Sequence, residues 1–215
     1  MSLWDKRNIP LTIFILLLLA ALTTWLAPAE QTLGDVVKLV YLHLAVMGTG
    51  IIMFFIAGLL GLLFLISGGE TISICKWSCV FETTAIFTWI FNLFLSMLVT
   101  YLAWGALLWA EPRARATLAV LLISAGFYLL SHLIEKPRVV ALFNLAVATT
   151  VGFLIFTSGR IFHPASPIRE SGEALLIASV VVIFLLFMGV ALQLTRLIEA
   201  KGFWVKAGFR KGGAS

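Results

Sequence analysis

Charge is scarce in this sequence: Asp, Glu, Lys and Arg make up only 12% of its 215 residues, whereas 61% are hydrophobic. A soluble domain carries about 25% charged residues, so a soluble enzyme or a soluble binding module is excluded. Apolar runs of roughly 18 residues or more take the place of the charge, and they lack the alternating pattern of transmembrane β-strands. The composition therefore predicts an all-α, polytopic membrane protein.

Cysteine and histidine are also rare, with two and three copies. Cys75 and Cys79 are too few for a disulfide framework and form neither a CxxC nor a CxxCH motif. Apolar packing is their expected role, with metal binding as the alternative. Basic residues give the chain a net charge of +5, but they flank the apolar runs as membrane topology requires, so nucleic-acid binding is not expected.

The apolar runs predict six transmembrane helices. The first run is expected to be retained as a helix, rather than cleaved as a signal peptide, because it is long enough to span the bilayer. In the second run, Gly58 and Gly61 permit close packing against a neighbouring helix. The predicted six-helix domain covers 1–200 and is followed by a basic tail at 201–215, with spans at about 9–27, 36–66, 78–100, 115–134, 139–158 and 173–198.

The distribution of lysine and arginine predicts the orientation of these helices. Ten basic residues lie on the side of the two termini and five on the opposite side, so both termini are expected in the cytoplasm. The connectors 28–35, 101–114 and 159–172 then face outward from the inner membrane. The basic tail is expected to rest on the lipid surface at the cytoplasmic side, as a topology anchor.

Two histidines, His43 and His163, fall on the predicted outer side, near the start of the second helix and in the loop before the sixth. A lone histidine near a membrane surface is ordinarily an interfacial polar residue. Two on one face, however, can supply both axial ligands of a haem iron. Pro164 restricts the backbone of His163 to extended conformations, which suits a ligand held in a fixed pose.

The connector between the third and fourth runs is unusually aromatic and charged. Trp104 and Trp109 offer an apolar wall for a porphyrin, and Arg113 and Arg115 can pair with its propionates. The sequence Glu111-Pro112-Arg113 is expected to begin the fourth helix, because proline suits the first turn and an acid suits the positive helix end. An ordinary aromatic belt with snorkelling arginines is the alternative.

A few polar residues fall inside the predicted spans. Glu82 requires a partner or a function at such a depth, and His132 on the next helix is the expected partner. Asn92 and Asn144 are expected to form hydrogen bonds between helices. A proton or ion path through Glu82 is the functional alternative.

Three motifs occur in order along the chain: Tyr41-Leu42-His43, then Trp104-Gly105 with Glu111-Pro112-Arg113, and finally Ile161-Phe162-His163-Pro164. Together they resemble the CcmC type of haem-handling membrane protein of cytochrome c biogenesis, a relative of CcsA, over nearly the whole chain. The resemblance implies that His43 and His163 are axial ligands of haem b. It implies haem contacts from Trp104, Gly105, Trp109, Glu111 and Arg113, with Tyr41, Arg115 and Arg160 as further candidates.

The resemblance implies a haem-binding protein rather than an enzyme, one that presents haem to a periplasmic haem chaperone beside subunits of an ABC-type transporter. Where the family has a tryptophan-rich interior, this sequence has Ala106, Leu107, Leu108 and Ala110. That departure favours an alternative, a diverged structural subunit of a membrane complex that keeps the fold without haem delivery. A bis-histidine membrane cytochrome is a third hypothesis.

Overall fold

The protein is a bundle of long helices. A computed structural model describes residues 6–29, 33–107, 109–134, 136–159 and 174–204. Within these ranges there are six helices long and apolar enough to cross a membrane, and no β-strand, so the predicted all-α class with six spans is confirmed. After a short 3-10 turn at Lys6–Asn8, the helices are α1 (Ile9–Leu26), α2 (Val36–Ile66), α3 (Ile72–Trp104), α4 (Pro112–Ile134), α5 (Pro137–Thr157) and α6 (Ala174–Lys201).

Helices α2 and α3 form the centre of the bundle. They run antiparallel around a turn in which Gly68 and Gly69 adopt positive φ angles of 75° and 77°, a conformation that favours glycine. Helix α2 touches every other helix except α4, while α1 and α6 pack together on one flank and α4 and α5 on the other. Large apolar side chains such as Phe14, Phe94 and Phe153 are exposed on the outer faces, as lipid-facing residues are.

Both ends of α3 extend beyond the predicted span. Helix α3 begins at Ile72 rather than at 78, and Lys76 in its first turns pairs with Glu199 of α6 at 2.6 Å. It ends at Trp104 because Gly105 takes a left-handed conformation with φ of 71° and donates its N–H to the carbonyl of Tyr101. Helix α4 begins at Pro112, which confirms the predicted start.

Trp89 of α3 is fully buried in the interior of the bundle and contacts two other helices. Its ring meets Phe54 of α2 edge-on, with the centroids 5.8 Å apart, and its Nε1–H donates to the carbonyl of Thr117 in α4 at 2.9 Å. A Cβ at Gly50 would lie 3.0 Å from the indole, so the absence of a side chain there makes room for the ring. One tryptophan thus fixes the relative positions of three helices.

Helices α2 and α5 approach closely along a seam of small residues. At Gly61 a Cβ would lie 2.7 Å from the carbonyl oxygen of Ala141, and at Gly58 it would overlap the Cβ of Ala148. Beside this seam, Asn144 donates from Nδ2 to the hydroxyl of Ser78 at 2.8 Å. The predictions of close packing at the two glycines and of an interhelical hydrogen bond at Asn144 are confirmed.

The helices alternate in direction, so the bundle has two ends. The end at which α2, α4 and α6 finish is the basic end, where Glu199 pairs with Lys76 at 2.6 Å and with Lys6 at 3.8 Å. There the ammonium of Lys76 also lies 5.7 Å and 5.8 Å from the rings of Trp77 and Trp204. This cluster joins the beginning of the described chain to the end of α6. Of the predicted tail at 201–215, the structure describes 201–204, with Lys201 still in α6. The cytoplasmic orientation of this end stays a prediction.

Candidate functional site

The opposite end of the bundle, where α1, α3 and α5 finish and α2, α4 and α6 begin, is the tryptophan end. Its helix termini carry the candidates near His43, at Trp104 and around Arg113. The third histidine, His132, lies in the last turn of α4 and therefore at the basic end. The chain thus gathers one imidazole, two indoles and two guanidinium groups at a single end, as the sequence predicts.

His43 lies in the second turn of α2. It shares a helix face with Met47 and Gly50, which follow it by four and seven residues, and Gly50 faces the indole of Trp89. His43 therefore faces α3 rather than the lipid. Its side chain is half-buried and its Nδ1 atom is shielded from solvent. A half-buried imidazole near a helix end has the setting of a metal ligand or of a hydrogen-bonding group.

Tyr41 supports the position of His43 rather than sharing its surface. The tyrosine is fully buried, and its hydroxyl donates to the carbonyl of Pro28 at 3.2 Å. Nearby, Lys38 pairs with Asp35 at 2.9 Å and donates to the carbonyl of Trp25 at 3.1 Å. These bonds hold the start of α2 against the end of α1.

The aromatic segment after α3 presents its two indoles at the surface. The side chain of Trp104 is 37% exposed and that of Trp109 is 49% exposed. The left-handed Gly105 turns the chain away from the axis of α3, and the N–H of Trp109 donates to the carbonyl of Leu107 at 3.2 Å. Half-exposed indoles at a helix end suit either a membrane interface or the face of an apolar ligand.

The acidic and basic residues at the start of α4 differ in their surroundings. Glu111 is buried, with 3% of its surface exposed, while Arg113 is half-buried. Arg115 is exposed and donates from its guanidinium to the carbonyl of Ala110 at 3.2 Å, which braces the connector. An acid just before the first turn also lies at the positive end of the helix dipole. Of the two arginines, Arg113 is the more buried, whereas Arg115 stabilises the connector.

The candidates His163 and Arg160 lie outside the described residues. Helix α5 finishes at Thr157 and α6 begins at Ala174, both at the tryptophan end. The segment that carries His163 is therefore attached at that end on both sides. Whether its imidazole meets His43 stays a prediction.

Two expectations about interior polar residues are wrong. Glu82 and His132 do not pair: Glu82 is buried with both carboxyl oxygens lacking a partner among the described residues, whereas His132 is exposed. The rotation of α4 stacks His132 edge-on against Tyr128, with centroids 4.8 Å apart, and so turns it away from the core. Asn92 is fully buried and likewise has no described partner, because the next turn of α3 packs through Leu95 into an apolar cluster.

Several polar contacts between helices have no clear signal in the sequence. The hydroxyl of Ser78 donates to the carbonyl of Ala57 in α2 at 2.7 Å, and Thr84 of α3 bonds Thr195 of α6 at 3.0 Å. Serine and threonine are common in transmembrane helices, where most bond their own backbone. Only the rotation of each helix decides which of them reaches a neighbour.

Comparison of the chain with protein-family models finds no match, and comparison with curated proteins finds none either. The resemblance to the CcmC type therefore depends on the three motifs and their order. The geometry that bears on it is the gathering of His43, Trp104, Trp109 and Arg113 at the tryptophan end.

Proposed function

We propose that this chain is a haem-handling protein of the inner membrane, similar to the CcmC type, that holds haem b at its tryptophan end and presents it to a periplasmic haem chaperone. The observation that carries the proposal is that His43, Trp104, Trp109 and Arg113 lie at the same end of the bundle. The segment with His163 is attached at the same end. Subunits of an ABC-type transporter are the further expected partners.

The chemistry of these side chains fits a haem. Haem has large apolar faces, two anionic propionates and an iron that takes nitrogen ligands. His43 is half-buried with a shielded ring nitrogen, as a ligand in a low-dielectric setting is. The exposed faces of Trp104 and Trp109 are apolar, and the half-buried Arg113 is a permanent cation. These features support the proposal that the tryptophan end binds haem, with His163 as the predicted second ligand.

In this proposal the chain binds and orients haem, and it catalyses no bond change. His43 and His163 would ligate the iron of a bound haem, Trp104 and Trp109 would support its ring, and Arg113 would bind a propionate. Because the ligand must be released to a partner, it is better held by a few separable contacts at the end of the bundle than enclosed in the core.

One observation favours a second function. Next to the two tryptophans, the described positions Ala106, Leu107 and Ala110 are exposed and carry small or aliphatic side chains. A surface with so few aromatic rings offers a haem chaperone less area for recognition than a tryptophan-rich one. This favours a structural subunit that keeps the fold without delivering haem.

Assembly of c-type cytochromes in the native host distinguishes the two functions. A strain without this gene is complemented with the wild type, with His43→Ala, or with His132→Ala as the matched control from the opposite end. Haem delivery predicts loss of covalently bound c-type haem in the deletion strain and with His43→Ala, and recovery with the wild type and with His132→Ala. Normal c-type cytochromes in the deletion strain would contradict haem delivery and support the structural function.

A further inference from the structure

The bundle contains a second unusual group, which the proposed function does not use. Glu82 lies in the half of α3 nearest the basic end, and only 3% of its surface is exposed. Both of its carboxyl oxygens are shielded, and no described residue donates a hydrogen bond to either one. A carboxyl group inside a membrane protein marks a functional site more often than a packing position.

Among the described residues, no basic side chain neutralises Glu82. The nearest lysine along the helix, Lys76, pairs with Glu199, and Arg138 of α5 donates to the carbonyl of Gly68. His132 of α4 is exposed and turned away. The cations closest to the basic end are therefore engaged elsewhere or directed outward.

The groups around Glu82 are neutral or weakly polar. On α3, Cys79 lies one turn from Glu82 and Cys75 one turn further on, and Tyr128 of α4 packs against the cluster that contains both cysteines. Helix α5 contributes the amide of Asn144, which bonds Ser78. Helix α6 contributes Thr195, which bonds Thr84 of α3, while the charged Glu199 lies further toward the basic end, where Lys76 neutralises it.

These surroundings favour the protonated form of the Glu82 carboxyl over the charged form. A carboxylate without a partner costs several kcal/mol when it is withdrawn from water. A carboxylic acid is neutral and costs far less. Glu82 therefore fits the interior with a proton bound, and no hydrogen bond from a described residue stabilises the charged form.

A row of protonatable side chains leads from the basic end toward Glu82. His132 is exposed in the last turn of α4, and its ring meets Tyr128 edge-on. Tyr128 packs against the buried cluster that contains Cys75 and Cys79. Cys79 precedes Glu82 by three residues, so the two lie on one face of α3.

We propose that Glu82 is a proton-exchange site of the bundle, reached from the basic end past Tyr128 and Cys79. The site lies in the opposite half from the candidate haem residues. It does not depend on haem binding.

Infrared spectroscopy of the full-length protein in liposomes tests the proposal. The carbonyl stretching band of a protonated carboxylic acid should be present near neutral pH, should disappear in Glu82→Gln, and should persist in Glu70→Gln, an exposed control. On transfer to D₂O the band should shift as the proton exchanges. Tyr128→Phe should slow that shift several-fold, whereas Tyr101→Phe at the tryptophan end should not.

Other outcomes would overturn the proposal. A band that persists unchanged in Glu82→Gln would show that Glu82 does not carry the proton, and an unchanged exchange rate in Tyr128→Phe would refute the route. Should Glu82→Gln fail to fold, the wild type still provides a test with a hydrophobic carbodiimide. This reagent adds to a protonated carboxyl and rearranges to a stable N-acylurea with no leaving group. An adduct that maps to Glu82 supports the proposal, and its absence there contradicts it.

Discussion

The seam between α2 and α5 gives the sharpest stability prediction. Replacing Gly61 with alanine puts a methyl group 2.7 Å from the carbonyl oxygen of Ala141, a distance at which real side chains are essentially never found. The obstacle is a backbone atom, so no side-chain rotation relieves it. We expect Gly61→Ala to separate the two helices and to lower the free energy of unfolding.

Comparison with Gly126 sets the magnitude. Gly126 lies inside α4 with open space around the position of its missing Cβ, so Gly126→Ala adds a methyl group without a clash. Both substitutions share the helix-propensity gain of about 0.5–1 kcal/mol, which cancels in the comparison. The remaining difference is the cost of overpacking, about 1–3 kcal/mol. Gly61→Ala should be less stable than Gly126→Ala by that amount.

A double substitution gives a second control. The methyl group of Gly58→Ala would overlap the Cβ of Ala148, so Ala148→Gly should recover part of the lost stability. The same Ala148→Gly should not rescue Gly61→Ala, because that clash is with the carbonyl of Ala141. Sites without shared partners combine additively within about 0.5 kcal/mol.

Reversible unfolding in mixed micelles, with sodium dodecyl sulfate as denaturant and helical circular dichroism as the signal, measures these differences. Equal stability of Gly61→Ala and Gly126→Ala would refute the close approach of α2 and α5. So would equal effects of Ala148→Gly in the Gly58→Ala and Gly61→Ala backgrounds.

Three further predictions follow from other contacts. Trp89→Phe should lose about 1–3 kcal/mol in the same titration, because the carbonyl of Thr117 loses its buried donor; full stability would count against that bond. Lys76→Ala should lose up to about 1 kcal/mol at low salt and less at high salt, since both partners in its ion pair are partly exposed; a loss independent of salt would exclude an electrostatic cause. A cysteine at Trp109 should react with an impermeant maleimide from the periplasmic side of intact cells, and one at the exposed Leu133 only after the inner membrane is opened; the reverse pattern would invert the predicted orientation.

The sequence predicts the helices well because the physical signal for a membrane span is strong. The 31 residues of α2 coincide with a continuous apolar run, and the glycines after it end the helix where expected. Pro112 marks the start of α4 for a similarly local reason, since its fixed φ angle suits a first turn. These features depend on short stretches of chain and on the thickness of a bilayer.

Helix rotation is much harder to predict from this sequence. Lipid-facing and core-facing sides are both apolar, so the pattern gives little information about which side chains face a neighbour. For this reason the expected pair of Glu82 and His132 is wrong, while the bond from Asn144 to Ser78 is found. The location of the candidate residues at the tryptophan end is easier to predict than their contacts. The order of the spans brings His43 and Trp104 to one end, whatever the rotation of their helices.

The absorption spectrum of the purified protein, made in a haem-replete membrane, tests the central claim most directly. A haem held between two imidazoles gives a Soret band, which should be strong in the wild type and in His132→Ala and lost in both His43→Ala and His163→Ala. Circular dichroism of each variant confirms that the helices are intact. A Soret band retained in both His43→Ala and His163→Ala, or no band in the folded wild type, would contradict the proposed haem site.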